Sequence, residues 1–172
     1  MRCRLVICWL LVAACSYGGA QSASPSSAAP ATGSPPAVLE REFFTAIREG
    51  DAKKTLSYVP EQGVDVGPRR EHVSRAEIEQ QFAQHRGLYC KLFDSSCIQS
   101  PIKLDASARA CSYRELLTHS EKVRTAATEA VRGGVRQAIL VAEVKNDQCA
   151  GLGLMDFIFN EGHSGWELFS AP

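Results

Sequence analysis

Residues 122–145 read KVRTAATEAV-RGG-VRQAILVAEVK, two β-rich runs separated by an Arg-Gly-Gly triplet. Two further β-rich runs follow, at Gly151–Phe159 and Trp166–Ser170, on either side of the polar sequence NEGHSG. Short runs joined by Gly pairs, or by Asn or Asp with Gly, are typical of β-hairpins. We therefore predict a meander of about four antiparallel strands, with one face of the sheet packed on a core.

The first predicted strand, Lys122–Val131, has a competing interpretation. The capping-box pattern Ser112-x-x-Glu115 predicts a helix that begins there, and helical spacing could continue from it as far as a C-cap at Gly133. One long helix would then replace the first hairpin. We predict the hairpin, because the next strand, Val135–Lys145, needs a paired neighbour of similar length.

Three helices are predicted before the sheet. The first, Val38–Arg48, places its large apolar side chains on one helical face: Leu39, Phe43, Phe44 and Ile47. Asp51 is a plausible N-cap for a second helix, Ala52–Tyr58, and Ser74 with Glu77 gives the third helix a capping box. One short strand is expected within residues 63–68, followed by a polar loop. Residues 38–172 are thus predicted to form a single α+β domain.

Composition is ordinary for one globular domain with tails: 172 residues, 45% hydrophobic and 22% charged. Lysine plus arginine and aspartate plus glutamate balance at 19 each, and without Arg2 and Arg4 the balance becomes 17 to 19, a net charge of −2. A nucleic-acid-binding domain normally carries a basic face, so we expect no nucleic-acid partner.

The N-terminus has the features of an export signal. A basic start followed by the apolar run Leu5–Val12 makes residues 1–14 similar to a secretory signal peptide. The sequence VAAC that ends at Cys15 resembles the bacterial lipobox, in which the cysteine receives diacylglycerol and becomes the mature N-terminus. This resemblance implies lipidation at Cys15 and membrane association through the lipid. The alternative is ordinary signal cleavage after Ala20.

Residues 15–37 are predicted to be a linker between that lipid and the domain. The segment is rich in Ala, Ser and Pro and carries no charge, so it cannot bury enough apolar surface to offset the entropy lost on ordering. Ser16, with no Asp at that place, resembles the outer-membrane sorting pattern of Gram-negative lipoproteins. The expected location is therefore the outer membrane, or otherwise the periplasm or the exterior.

Four cysteines lie in the predicted domain: Cys90, Cys97, Cys111 and Cys149. In an exported chain they indicate two disulfides, with three possible connectivities. We predict Cys97–Cys111, which encloses a short loop, and Cys90–Cys149, which would tie the end of the third helix to the sheet. One disulfide with two free thiols is the alternative. No Cys-x-x-Cys pair or nearby histidine has zinc-site spacing, so neither a metal nor a cofactor is expected.

The order of these elements resembles the nuclear-transport-factor-like (SnoaL-like) superfamily. AIREGDA, at residues 46–52, is similar to the usual opening of that family, and the closing FIF…GWEL hairpin is similar to its usual end. The resemblance spans about Val38 to Ser170. It implies a curved sheet wrapped by helices into a cone with an apolar pocket, and many members dimerise through the sheet. Members include isomerases, cyclases and dehydratases, but others only bind ligands or partners, so the fold does not select a function.

Asp156 is a candidate catalytic residue, because it is a carboxylate within an apolar strand. Period-two alternation places it on one face with Leu154 and Ile158, and places Phe157 on the other. In an apolar pocket, burial would raise its pKa and allow general acid–base chemistry, with His119 as a candidate partner. Alternatively, Asp156 is turned outward or paired with an arginine across the sheet.

Two functional hypotheses follow. The leading one is an envelope-anchored, non-catalytic binding or accessory module that takes an apolar small molecule or a protein partner, including a second copy of itself. The alternative is a small cone-type isomerase or dehydratase that uses Asp156 as its general acid or base. The position of Asp156 relative to a closed pocket and a second titratable group discriminates between them.

Overall fold

The structure, a computed structural model, describes residues 34–98, 109–149 and 153–172. The predicted signal peptide, Cys15 and nearly all of the predicted linker lie outside these ranges. The first described helix begins at Pro36, slightly before the predicted start of the domain.

The described residues form five α-helices and six strands. The helices are α1 (Pro36–Glu49), α2 (Ala52–Leu56), α3 (Arg75–Ala83), α4 (Leu88–Phe93) and α5 (Tyr113–His119), and a 3-10 turn at Ser95–Cys97 follows α4. The strands are β1 (Val64–Val66), β2 (Glu71–Val73), β3 (Lys122–Arg132), β4 (Val135–Lys145), β5 (Leu154–Gly162) and β6 (Gly165–Ala171). All six strands belong to one sheet in the order β2-β1-β6-β5-β4-β3.

The predicted α+β class and the meander β3–β6 are confirmed, but the predicted numbers of strands and helices were wrong. The sheet is mixed, because β1 pairs parallel with β6 and antiparallel with β2. The short strand expected within residues 63–68 is present as β1, but β2 lies where a polar loop was predicted, because its three residues are too few to show an alternating pattern in the sequence. The helix α4 was missed because six residues, mostly apolar, give little helical periodicity.

The hairpin formed by β3 and β4 is confirmed against the long-helix alternative. The two strands pair continuously from Lys122 opposite Lys145 to Arg132 opposite Val135. Gly133 and Gly134 form the turn with φ values of 58° and 80°. Positive φ at both central residues is what a type I′ turn requires, and glycine adopts it without the strain of a Cβ.

Helix ends follow the capping residues read from the sequence. Gly50 ends α1 in the left-handed conformation, and the Asp51 side chain accepts a hydrogen bond from the Lys54 backbone N–H at 2.8 Å. Ser112 and Glu115 form both bonds of the predicted capping box at the start of α5. At α3, the Ser74 hydroxyl accepts from the Glu77 N–H at 3.3 Å, which is one half of the predicted box.

One face of the sheet is covered by helices. On this face of β4 the buried residues are Ala138, Leu140, Ala142 and Val144, and on β5 they are Met155, Phe157 and Phe159. Phe43 of α1 packs against Phe157 and Phe159, with ring centroids 4.9 and 5.0 Å apart, and Tyr113 of α5 packs against Phe157 at 5.8 Å. Aromatic rings therefore fill the space between α1 and the middle of the sheet.

The expected two disulfides are present, but the predicted pairing was wrong. Cys90 pairs with Cys97, and Cys111 pairs with Cys149. α4 ends at Phe93, and the 3-10 turn that follows it brings Cys97 back to Cys90, with their Cα atoms 5.5 Å apart. Cys149 lies in a β-bridge with Arg109, which places it next to Cys111. The first pairing thus depends on a local turn and the second on a contact between distant segments, and cysteine spacing reveals neither.

Candidate binding surfaces

Asp156 lies on the face of the sheet that none of the described helices covers. It stands opposite Val141 of β4 and is exposed, whereas its neighbours Met155 and Phe157 are fully buried on the other face. The predicted alternation along β5 is therefore confirmed, and the face that carries Asp156 is the outward one. A carboxylate in this position is not enclosed by a pocket.

His119, the candidate partner of Asp156, is an exposed residue at the end of α5. Its Nδ1 lies 3.3 Å from the Thr118 hydroxyl. α5 packs on the covered face of the sheet through Tyr113 and Phe157, so His119 and Asp156 belong to opposite sides. The structure does not bring the two together into a catalytic pair.

The open face of the sheet carries a row of apolar side chains around Asp156. Leu154 is 59% exposed, and its neighbours in the row are half-buried: Ile139, Val141 and Ile158. Thr128, Ile139 and Ile158 stand side by side across three strands. Contiguous apolar surface of this kind is characteristic of interaction sites. We refer to Leu154, Ile139, Val141 and Ile158 as the open-face row.

A cleft of about 440 Å³ lies where α1, α2 and the start of β6 meet. Charged and hydrogen-bonding side chains dominate its lining: Glu42, Lys54, Tyr58, Glu61, Arg75 and Glu167. The resemblance implied an apolar pocket, whereas this cleft is polar.

Lys54, Glu42 and Tyr58 contact one another in the cleft. Lys54 Nζ lies 3.7 Å from Glu42 Oε2 and 5.2 Å from the centre of the Tyr58 ring, and the Tyr58 hydroxyl donates to Glu42 at 3.3 Å. The neighbouring Tyr58 hydroxyl and the Glu42 carboxylate raise the pKa of Lys54, and burial raises the pKa of Tyr58. Near neutral pH, Lys54 is thus an ammonium and Tyr58 a neutral donor. Neither is poised to act as a base or a nucleophile.

A network of hydrogen bonds centred on Arg136 lies at the end of the sheet that is next to Ser34, where the described chain begins. Arg136 donates to Glu129 at 2.8 Å and to Glu161 at 2.7 Å, and its guanidinium carbon lies 5.4 Å from the centre of the Trp166 ring. Trp166 Nε1 donates to the Ser34 carbonyl at 2.6 Å. This network links β3, β4, β5 and β6 to Ser34, which lies two residues before α1.

Sequence reasoning missed this network, although one signal for it existed. Once the hairpin is centred on Gly133 and Gly134, Arg136 lies diagonal to Glu129 on the same face, where long side chains can meet. The β3–β4 hairpin alone does not predict that β5 pairs with β4 and β6. It is this pairing that brings Glu161 and Trp166 close to Arg136.

A second ion pair lies on the short hairpin at the other side of the sheet. His72 Nδ1 is 3.1 Å from Asp65 Oδ1, and His72 Nε2 is 2.8 Å from the Gln62 carbonyl. Hydrogen bonds to both acceptors favour the protonated ring and raise the pKa of His72. Because both nitrogens are occupied, His72 has no free nitrogen for a substrate.

Two further properties of the described residues concern membrane spans and metal sites. None of their helices combines the length and apolar character that crossing a bilayer requires. Within residues 34–98, 109–149 and 153–172, no group of three or more His, Cys, Asp or Glu side chains is arranged to hold a metal ion.

Comparison with known proteins found no matching family model, no matching curated protein and no matching solved structure. The superfamily resemblance therefore rests on the motifs and element order of this chain alone.

Proposed function

We propose that this chain is an exported, lipid-anchored, non-catalytic binding or accessory module of the SnoaL-like cone type, which associates with a second copy of itself through the open-face row. The observation that carries the proposal is the contrast in β5, where Leu154 and Ile158 face outward from a sheet whose other face is fully packed. Burial of apolar side chains drives association, and homodimer interfaces are more apolar than other surfaces.

Two features favour binding to a protein over binding to an apolar small molecule. Packed aromatic rings occupy the space between α1 and β5. The cleft near Tyr58 is lined mainly by charged and hydrogen-bonding groups, and several of them pair with one another, as Lys54 and Tyr58 do with Glu42.

The enzyme alternative has less support in the geometry. Asp156 is exposed on the open face, and His119 is on the helical side. General acid–base catalysis needs its groups within hydrogen-bond reach of one reacting atom, a condition that these two residues do not meet together.

Export and lipid anchoring are proposed on the N-terminal sequence. The two disulfides are compatible with an oxidising compartment outside the cytoplasm. Mass spectrometry of the N-terminal peptide of the mature protein tests the anchor. We expect diacylglycerol on Cys15. A mature chain that starts at Gln21 would refute the lipid anchor, and this result would not bear on the open-face row.

Sedimentation of the full chain in density-matched detergent tests the association. We expect a dimer, and we expect Leu154→Lys with Ile158→Lys to convert it to a monomer, because two ammonium groups would lose their hydration in the interface. Val131→Lys is the matched control, since Val131 is 67% exposed and lies outside the open-face row. A monomeric wild type, or a dimer that the double substitution leaves intact, would contradict the proposal.

A further inference from the structure

The strand β3 is a long, regular edge of the sheet. Among the described residues it pairs with β4 alone, and its eleven residues keep one register without a bulge. The opposite edge, β2, has three residues. Natural edge strands are usually short, bulged or interrupted by proline, because a regular edge offers free backbone groups to another strand. β3 is neither short nor bulged and contains no proline, so its charged side chains are the one protection of this kind that it carries.

The hairpin turn determines which backbone groups of β3 point outward. A two-residue turn at Gly133–Gly134 makes Arg132 and Val135 the closing hydrogen-bonded pair. Antiparallel pairs alternate between hydrogen-bonded and non-hydrogen-bonded, so the even-numbered residues of β3 bond to β4. The odd-numbered residues therefore direct their N–H and C=O groups to the outer edge: Val123, Thr125, Ala127, Glu129 and Val131.

We propose that the edge of β3 binds an extended, acidic segment of a partner protein, which adds to the sheet as a further strand. This mode of recognition takes its affinity from main-chain hydrogen bonds and its specificity from the alternating side chains. The site goes beyond the proposed function, because it uses the edge of the sheet and not the open-face row.

The charges of β3 select an acidic partner. Lys122, Arg124 and Arg132 are exposed and lie on the same side of the strand, and Arg124 lies 4.0 Å from Glu143 of β4 in an exposed ion pair. The single carboxylate of β3, Glu129, accepts a hydrogen bond from Arg136. Side chains directly opposite each other on neighbouring strands interact, and opposite charges there are favourable. A strand with carboxylates facing these three cations, and small or β-branched residues between them, complements the edge.

The same charges disfavour a second copy of β3 as the occupant. In the antiparallel register that pairs the whole strand with itself, Ala127 faces Ala127 of the second copy. Lys122 then faces Arg132 of the second copy at both ends of the ladder. Like charges directly opposite are destabilising, so the full-length register repels its own copy and accepts an acidic strand.

A synthetic peptide provides the direct test. The peptide has the length of β3 and consists of threonine and valine, with glutamate at the positions that face Lys122, Arg124 and Arg132. Fluorescence anisotropy of the labelled peptide with the full chain should show saturable binding. Lysine in place of glutamate should weaken binding by about tenfold or more. N-methylation of alternate backbone nitrogens should have an equally large effect, because it removes the donors of the new ladder.

Variants of the chain locate the site. Ala127→Pro removes an outward N–H and leaves the pairing with β4 intact, so peptide binding should fall by about tenfold while circular dichroism remains unchanged. Arg124→Glu with Arg132→Glu should weaken binding about fivefold or more, and the matched charge change Arg41→Glu with Arg86→Glu should not. If Ala127→Pro fails to fold, the N-methylated peptide still decides the backbone part.

Four outcomes would overturn the proposal: no binding of the glutamate peptide, equal binding of the lysine peptide, no effect of N-methylation, or self-association of the chain that Ala127→Pro abolishes. The last result would assign the edge to a second copy. Leu154→Lys with Ile158→Lys should retain peptide binding, so loss of the dimer and loss of the edge site are distinguishable.

Discussion

The two faces of the central sheet contrast in packing and in what a substitution there does. On the covered face, Phe157 and Phe159 are fully buried among aromatic rings, whereas Leu154 on the open face is 59% exposed. Protein interiors are close-packed, so removing a covered side chain leaves a cavity. An open-face side chain leaves none. The covered face therefore determines stability, and the open face is free to carry charges and binding residues.

The largest difference between the faces is expected at two adjacent residues of β5. Phe157→Ala should lower the free energy of unfolding by about 3–5 kcal/mol, because Phe157 contacts Phe43, Phe44 and Tyr113. Ile158→Ala should lower it by roughly 1 kcal/mol or less. Urea unfolding of the monomer measures both, and equal losses would show that the open face is packed in solution.

The two disulfides should differ in how much they stabilise the folded state, because they enclose chain segments of different length. Replacing Cys111 and Cys149 by alanine should cost about 4 kcal/mol, because their sequence separation is 38 residues. Replacing Cys90 and Cys97, which are 7 residues apart, should cost about 2 kcal/mol. Urea unfolding checks the order, and peptide mapping of the unreduced protein checks the pairs. A larger loss for the shorter loop would show that strain or residual structure dominates over chain entropy.

Substitutions in the turn between β3 and β4 should destabilise the domain through backbone strain alone. Gly133 and Gly134 both have positive φ, and nothing lies within 4 Å of a Cβ added at either position. Valine at both positions should therefore destabilise the domain by about 1–3 kcal/mol through backbone strain and not through a clash. Asparagine at both positions, which tolerates positive φ, is the matched control and should cost less in thermal unfolding. Similar losses for the two pairs would contradict the strain explanation.

The smallest expected effect is the pH dependence of His72. Its pKa is raised above 6.5 by the bonds to Asp65 and the Gln62 carbonyl, so the folded state binds the proton more tightly than the unfolded state. The resulting stabilisation is complete below about pH 6.5 and is lost as pH rises through the folded pKa.

Melting temperatures of the wild type and of His72→Gln, measured between about pH 5 and about pH 9, should converge as pH rises. His163→Gln is the control, because His163 lies exposed in the β5–β6 turn. A difference between the wild type and His72→Gln that stays constant over this range would contradict the assignment.

The parts of the fold that could be predicted from the sequence are those determined by residues close together in the chain. The caps at Asp51 and Ser112, the turn at Gly133–Gly134 and the alternation along β5 each depend on residues a few positions apart. The strand β1 could not be predicted as part of the main sheet, because its partner β6 is distant in the chain.

The candidate site residues show the same division. Alternation in the sequence of β5 predicts that Asp156 and Phe157 lie on opposite faces of the sheet. It does not predict which of the two faces the helices cover. That choice is made by α1 and α5, which pack their aromatic residues against Phe157. Once they do, Asp156 is exposed and His119 is on the other side of the sheet.

The sequence alone predicted the class of the domain, its β3–β4 hairpin, its helix caps and the presence of two disulfides, because apolar periodicity and the turn and cap residues indicate the first three and cysteine content indicates the last. The tertiary structure decided which cysteines pair and, among the residues that the structure describes, which face of the sheet is open and which edge is free. Those outcomes depend on contacts between residues far apart in the chain, such as Cys111 with Cys149 and Val66 with Ala171. Many chain arrangements satisfy the same local preferences, and only packing of the whole domain selects among them.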